Sequence, residues 1–413
     1  MTDAHSRWTQ ILLQAMFLAL LVVVLPSCSD DPTEQNALLF PGNGLPTVGT
    51  RDTTIFAVSD TTLLARIAMN GPQNLVGAAS GLSSAYSASA LIRFTPGLFP
   101  ARDTASVFSA TLNLHFVYHR GAPGGQLAFN IYRISTEWDE STFTWDSLQA
   151  NSQFYDATRA RTLNGQPFVI TLTNPDSQTV SVPLDTVMGR EWYQTLTSTD
   201  VTKFGIILVP TNSCNVVGGF SSFSADSISY YPAVTIIAGN ASGTLLDTAT
   251  YSNGFDTFAG NVQIPLSPAT MTIQAGMAFR GLVRFDLSFL ARGTVINSAE
   301  VMVDRRTDPT LLTTPSDSLE VHFTADAAGD LLSSTSSILT PKSGSTSTLA
   351  GNITSFAQLW LVSPNYGLVV RIPTPGEMCT FDLMRLYGSQ ATQTALRPRL
   401  HITYTDVHLG KKP

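Results

Sequence analysis

The sequence predicts an all-β fold: two tandem jelly-roll-like antiparallel β-sandwich domains behind a lipoprotein signal peptide. Three observations carry the prediction. Apolar and polar residues alternate with the period of two that a half-buried strand requires. Clusters of turn residues separate the alternating segments. The second half of the chain repeats the first in order.

The N-terminus comes first. Arg7 supplies a weak positive region, and an uncharged run follows from Ile11 to Leu25. The run has the length of a signal h-region and is short of the ~20 residues that span a bilayer. It ends in Leu25-Pro26-Ser27-Cys28, which resembles a bacterial lipobox. That motif implies a signal peptide of residues 1–27 and lipidation of Cys28. An ordinary signal peptide with a chance cysteine, or an uncleaved anchor, is the alternative. The acidic run after Cys28 resembles the surface-export signal of Bacteroidota lipoproteins. Three acyl chains anchor a protein stably to a membrane. Residues 28–50 then read as a flexible tether, and the expected location is the outer membrane or cell surface.

Beyond the tether, Ala90-Leu91-Ile92-Arg93-Phe94 recurs as Gly281-Leu282-Val283-Arg284-Phe285. Ser109-Ala110-Thr111-Leu112 recurs as Ser298-Ala299-Glu300-Val301. The run Gly205 to Pro210 matches Gly367 to Pro373, and each half closes on a strand that follows Pro232 or Pro398. Four matches in one order indicate a tandem duplication. Domains are expected over 51–238 and 243–405, joined near Gly239 to Gly243, with a tail at 406–413. Within the first, Ala110, Leu112, Leu114, Phe116 and Tyr118 share one strand face. Only Asp185 to Leu196 and Ile353 to Leu361 read as short helices.

The series Leu91-Ile92-Arg93-Phe94, Ser109 to Leu112, Tyr132-Arg133-Ile134 and Trp138-Asp139-Glu140-Ser141-Thr142-Phe143-Thr144-Trp145 resembles the DNRLRE-type domain. That family is a β-sandwich module of secreted bacterial proteins related to carbohydrate-binding modules. The resemblance covers about residues 51 to 238. The second half departs from it, because no Trp or acid-rich segment follows Val321-His322-Phe323-Thr324. In the family the Trp138 to Trp145 stretch is a strand-and-turn element of the scaffold. The physical reading agrees: adjacent Asp139 and Glu140 on an extended backbone cannot converge across one glycosidic bond.

The chemistry-bearing residues point the same way. His115 and His119 share a strand face about 13 Å apart, too far to ligate one zinc. No acid, base or nucleophile constellation assembles, so the chain is read as a non-enzyme with no catalytic residue, metal ligand or cofactor. A structural calcium ion held by loop oxygens remains open. Arg93 and Arg284 occupy one repeat position and are expected to be structural, as an ion pair at the sandwich edge. Trp192 and Trp360 are expected in the core. Cys214 and Cys379, set a domain apart, are expected to be buried free thiols rather than a disulfide.

Partners follow from charge. Only 13% of residues are charged, and a net charge of -7 without a basic stripe excludes nucleic acid. The leading functional expectation is a non-catalytic surface lipoprotein that binds a polysaccharide or another extracellular polymer. The alternative is a structural, adhesion or envelope-assembly protein that contacts other envelope or surface proteins. Ligand recognition would fall to loops or an exposed sheet face. The loop His119 to Gln126, with His119 and Arg120 as candidate contacts to an acidic glycan, competes with an ordinary hairpin turn.

Overall fold

The computed structural model describes residues 47–81, 84–95, 106–121, 124–173, 177–194, 205–225, 230–239, 242, 246–263, 266–291, 293–307 and 317–408. The expected signal peptide and Cys28 lie outside the described residues. The chain forms two units. Asp52–Leu290 with Ile296–Thr403 is the main one, and the described parts of 1–51, 291–295 and 404–413 make a small one.

The protein is nearly all β, and its sheets are antiparallel. Twelve strands come first: β1 (Thr47–Phe56), β2 (Ser59–Leu64), β3 (Gln73–Gly81), β4 (Ser84–Thr95), β5 (Ser106–Gly121), β6 (Leu127–Arg133), β7 (Phe168–Ile170), β8 (Gln178–Pro183), β9 (Gly205–Pro210), β10 (Val216–Ser221), β11 (Ala233–Gly239) and β12 (Leu246–Gln263). Nine follow: β13 (Thr270–Gln274), β14 (Phe279–Arg284), β15 (Val295–Asp304), β16 (Leu319–Thr324), β17 (Leu332–Pro341), β18 (Thr348–Asn352), β19 (Leu368–Arg371), β20 (Leu383–Tyr387) and β21 (Arg399–His408).

Helices α2 (Thr186–Gln194) and α3 (Thr354–Trp360) fall inside the two expected segments. Each carries the expected core tryptophan, Trp192 at 1% and Trp360 at 6% exposure. A third helix, α1 (Trp145–Ala150), differs from expectation. It begins within the stretch expected as strand and turn. Thr144 and Ser147 form a capping box there, a local start signal in a segment too short to show helical periodicity.

One sheet runs β12-β11-β5-β10-β3-β4-β9-β6-β7, with β8 also on β5. It closes into a barrel because β12 pairs with β4 as well as with β11. The other runs β1-β21-β15-β18-β17-β16-β19-β14-β13-β20, with β2 on β14, as a half-barrel. The duplication is visible in the pairing. Leu91 lies opposite Ile207, and its repeat mate Leu282 lies opposite Val369. The pairs β3–β10 and β5–β11 recur as β13–β20 and β15–β21.

The halves do not divide at the expected junction. β12 returns antiparallel to β11 with Leu246 opposite Gly239, so one sheet continues across that point. Likewise β1 begins at Thr47, inside the expected tether, and β21 runs into the expected tail. The reason is a reciprocal exchange. β12 belongs by sequence to the second half but completes the first sheet. β1 and β2 belong by sequence to the first half but pair with β21 and β14 of the second sheet.

Side chains repeat this equivalence. Asp256 of β12 accepts the N–H of Phe223, two residues past β10, at 2.8 Å. Asp60 of β2 accepts the N–H of Ser389, two residues past β20. In β12 a bulge between Asn253 and Phe255 shifts the alternation by one. Ala249, Tyr251 and Asn253 are buried before it, and Asp256, Phe258 and Val262 after it.

The main core gathers Phe94, Leu112, Phe116, Phe129, Trp192, Phe220, Tyr251 and Phe258, and it extends to Ala278, Phe279 and Phe381. Two tyrosines tie the repeats together. Tyr86 donates to the Gly276 carbonyl at 3.2 Å, and Tyr118 accepts the Phe381 N–H at 3.0 Å. Gly260 permits the close approach, since a Cβ there would sit 2.1 Å from the Gly276 oxygen.

Candidate functional site

Strand β4 positions the site. Its inward residues Tyr86, Ala88, Ala90, Ile92 and Phe94 enter the main core. The alternate residues Ser87, Ser89, Leu91 and Arg93 face the other way. Part of that outer face has a small core of its own, where Leu91, Ile207 and Ala259 are covered by Ile134, Trp138, Phe143, Leu148 and Phe154. Trp138 is 8% exposed, and Phe143 stacks edge-on against it. Asp139 accepts both the N–H and the hydroxyl of Ser141, at 2.8 and 2.7 Å, which fixes the turn and holds its carboxyl below the usual range. For Trp138 and Asp139 the scaffold reading holds.

Trp145 is different. It is half-buried against the edge of this small core and lines two cavities at once. One, of about 470 Å³, has a floor of Ala78, Ala85, Ser87 and Ser89, flanked by Asn212, Asn261 and Gln263. Ser87 lies opposite Asn261 and Ala85 opposite Gln263 across the β4–β12 ladder. The other, of about 220 Å³, lies among Leu64, Ile67, Met69, Phe258 and Met277. Trp145 and Asn261 border both. At the smaller cavity, exposed Arg66 and Asp146 pair with each other. Among the described residues, no Asp, Glu, Lys, Arg or His lines the larger cavity. An aromatic plane beside neutral amides and hydroxyls offers an apolar face edged by hydrogen-bond donors and acceptors.

The expected loop at His119 and Arg120 is a strand end. β5 continues to Gly121, with His119 opposite Gly218 and Arg120 opposite Val217. The Arg120 guanidinium lies 4.7 Å from the Tyr118 ring centre and donates to the His119 carbonyl at 2.9 Å. Burial raises the pKa of nearby Asp382, opposed by the Thr380 hydroxyl and by the Arg120 cation. The cation therefore serves packing where Tyr118 and Phe381 join the repeats. His115 is buried, stacked 4.0 Å from Tyr230, with its ring nitrogens 2.9 and 3.2 Å from the hydroxyls of Thr179 and Ser177. Burial lowers its pKa.

The repeat-related arginines differ from expectation. Arg284 donates to the carbonyls of Tyr366 and Ala327, and among the described residues it has no ion-pair partner. Arg93 lies between the rings of Phe255 and Trp138, 4.1 and 5.7 Å from their centres. Cys214 and Cys379 are buried free thiols. The Cys214 thiol donates to the Val216 carbonyl, and burial pushes Cys379 up to about 11. Among the described residues no group of three or more His, Cys, Asp and Glu is placed to hold a metal ion.

Asp256 is the most perturbed carboxyl with a bearing on stability. Burial pushes it up to about 7, opposed by hydrogen bonds from the Phe223 N–H and Asn253. An unfolded Asp titrates near 4. Between about pH 4 and 7 the folded protein holds a proton that the unfolded chain has lost, so stability falls as pH rises through that window. The fall is on the order of 4 kcal/mol. Glu140, also raised mainly by burial, adds to it with the same sign. Asp256→Asn is expected to flatten the decline in melting temperature between about pH 5 and 8. An unchanged slope would show that Asp256 titrates normally.

The fold defines an antiparallel β-barrel protein in which Trp145 borders two adjoining cavities, the larger lined by neutral side chains. No family model matches the chain, and no curated protein matches it. Among solved structures, a chain titled as the 2.6 Å structure of T=1 particles derived from infectious bursal virus aligns at 11% identity. It covers 90% of this chain and 77% of its own length at a TM-score of 0.12, which carries no argument. Among the described residues no helix is long and apolar enough to cross a membrane.

Proposed function

We propose that this protein is a non-catalytic, lipid-anchored surface protein that binds a polysaccharide through the Trp145 cleft. The observation that carries the reading is the half-buried indole of Trp145, bordering two cavities beside Ser87, Asn212, Asn261 and Gln263. Tryptophan provides a large apolar face with little conformational entropy to lose, and amides and hydroxyls match sugar hydroxyls in both donor and acceptor roles. The resemblance of residues 51 to 238 to the DNRLRE-type domain and the lipobox-like Leu25 to Cys28 support it. A second reading, a structural or assembly protein, draws on the exposed apolar side chains of Val58, Phe289, Leu359 and Val362.

Affinity electrophoresis of the protein through gels containing single polysaccharides tests the first reading. At least one polymer should retard it, and Trp145→Ala should weaken that retardation about tenfold or more, equivalent to ~1.4 kcal/mol. Trp138→Ala should instead lower thermal stability. Retardation that survives Trp145→Ala unchanged would place binding elsewhere.

A further inference from the structure

We infer that the cleft selects an uncharged polysaccharide and holds an internal stretch of it across Trp145, with sugar rings on both sides of the indole. This rests on the Trp145 reading above and specifies its ligand.

Charge comes first. The larger cavity is bounded by Ala, Ser, Thr, Asn, Gln, Tyr, Val, Pro and Cys side chains around Trp145. A uronate or sulfate placed there would lose water and find no cation, a cost that neutral hydroxyls do not incur. In the smaller cavity the cation, Arg66, is already paired with Asp146 on the first turn of α1. Arg120, the cation that an acidic ligand would otherwise want, lies instead over Tyr118 and donates to the His119 carbonyl.

Shape comes second. The two cavities share Trp145 and Asn261, so the indole stands as a divide between them rather than as the end wall of a pocket. The floor of the larger one is kept low by Ala85, Ser87 and Ser89 on β4 and by Ala78 on β3, side chains too short to block a ring. A single sugar fills one side only. A chain that continues over the indole contacts both, and each further ring adds apolar contact and hydrogen bonds without a second loss of translational freedom.

The test uses the full-length protein and two sets of polymers: neutral mannan, xylan and mixed-linkage β-glucan, and acidic alginate and polygalacturonate. At least one neutral polymer should retard the protein, and neither acidic polymer should. Raising salt from about 50 to 500 mM should change that retardation less than about twofold, because no ion pair is screened. Hexasaccharides of the same polymer should compete at concentrations at least tenfold lower than the monosaccharide. Gln263→Ala, an exposed substitution on the cleft rim, should weaken binding while leaving the melting temperature unchanged. Binding to an acidic polymer that is lost in Trp145→Ala would overturn the neutral specificity and leave the cleft assignment standing. Competition by monosaccharide and hexasaccharide at equal concentrations would overturn the bridging geometry alone. Failure of every polymer to retard the protein would overturn both this inference and the function on which it rests.

Discussion

A fragment of residues 51–238 is expected to be unfolded in isolation, whereas residues 65–263 should fold cooperatively. By sequence the first fragment is a complete repeat. By structure it lacks β12, which pairs with β11 from Ala233–Ser252 to Gly239–Leu246 and with β4 from Thr95–Ser252 to Ala85–Gln263. Removing β12 leaves two ladders of backbone groups unpaired and takes Tyr251 and Phe258, both fully buried, out of the core. Each such side chain contributes ~1.5–3 kcal/mol by burial alone. With Ala249, Val262 and the lost ladders, the total approaches the ~5–15 kcal/mol that a whole domain has to lose. Near-ultraviolet circular dichroism and urea titration of the two fragments distinguish the cases. Cooperative unfolding of 51–238 with native-like stability would show that β12 is dispensable.

The second large effect is expected from Glu377→Ala. Glu377 is 1% exposed and receives both Arg280 Nε and Nη2, at 2.7 and 2.9 Å, together with Arg371 at 2.8 Å. Arg371 reaches on to Glu320 at 2.8 Å, and His322 lies 3.3 Å from the same carboxylate. The network is balanced, so deleting Glu377 leaves the buried Arg280 guanidinium without its counter-charge. Breaking a buried pair from one side costs ~3–5 kcal/mol. For a protein of this size the loss should lower the melting temperature by roughly 5 °C. Replacing both partners, Arg280→Met with Glu377→Leu, should recover much of it, because no uncompensated charge remains. A Glu377→Ala protein that melts with the wild type would mean that water already reaches Arg280.

Much of this architecture is legible in the sequence because its causes are local. The alternation from Ala110 to Tyr118 is the pleat of β5, and the duplicated Arg93 and Arg284 segments occupy matching positions as β4 and β14. Helices α2 and α3 are readable in the same way. α1 is not, because six residues hold less than two turns and the family resemblance implies a strand and turn there.

The strand exchange is hidden because register between distant strands leaves only a faint local trace. A trace does exist: Asp52-Thr53 and Asp60-Thr61 correspond to Asp247-Thr248 and Asp256-Thr257, with the second spacing longer by the bulge residue. The site is half legible. Its stretch from Trp138 to Trp145 stands out in the sequence, yet reads there as scaffold throughout. The capping box at Thr144 turns the chain, so Trp138 and Trp145 part company. Arg120 reads as a loop residue because Arg120-Gly121 resembles the start of a turn, whereas β5 carries both residues in register with β10.

The exchange also sets a timetable. A chain leaving a ribosome or an export channel presents β1 and β2 first, yet Asp52 meets Thr403 only across 351 residues of sequence. The first sheet must likewise wait for β12 before it can close. Contacts of such long range make folding slow, because loop-closure entropy is spent before the pairing that offsets it. During that interval the leading strands have unpaired edges, the surface on which aggregation begins. Among the described strands β21 emerges late, and it pairs with β1. Closure of that sheet therefore waits for β21.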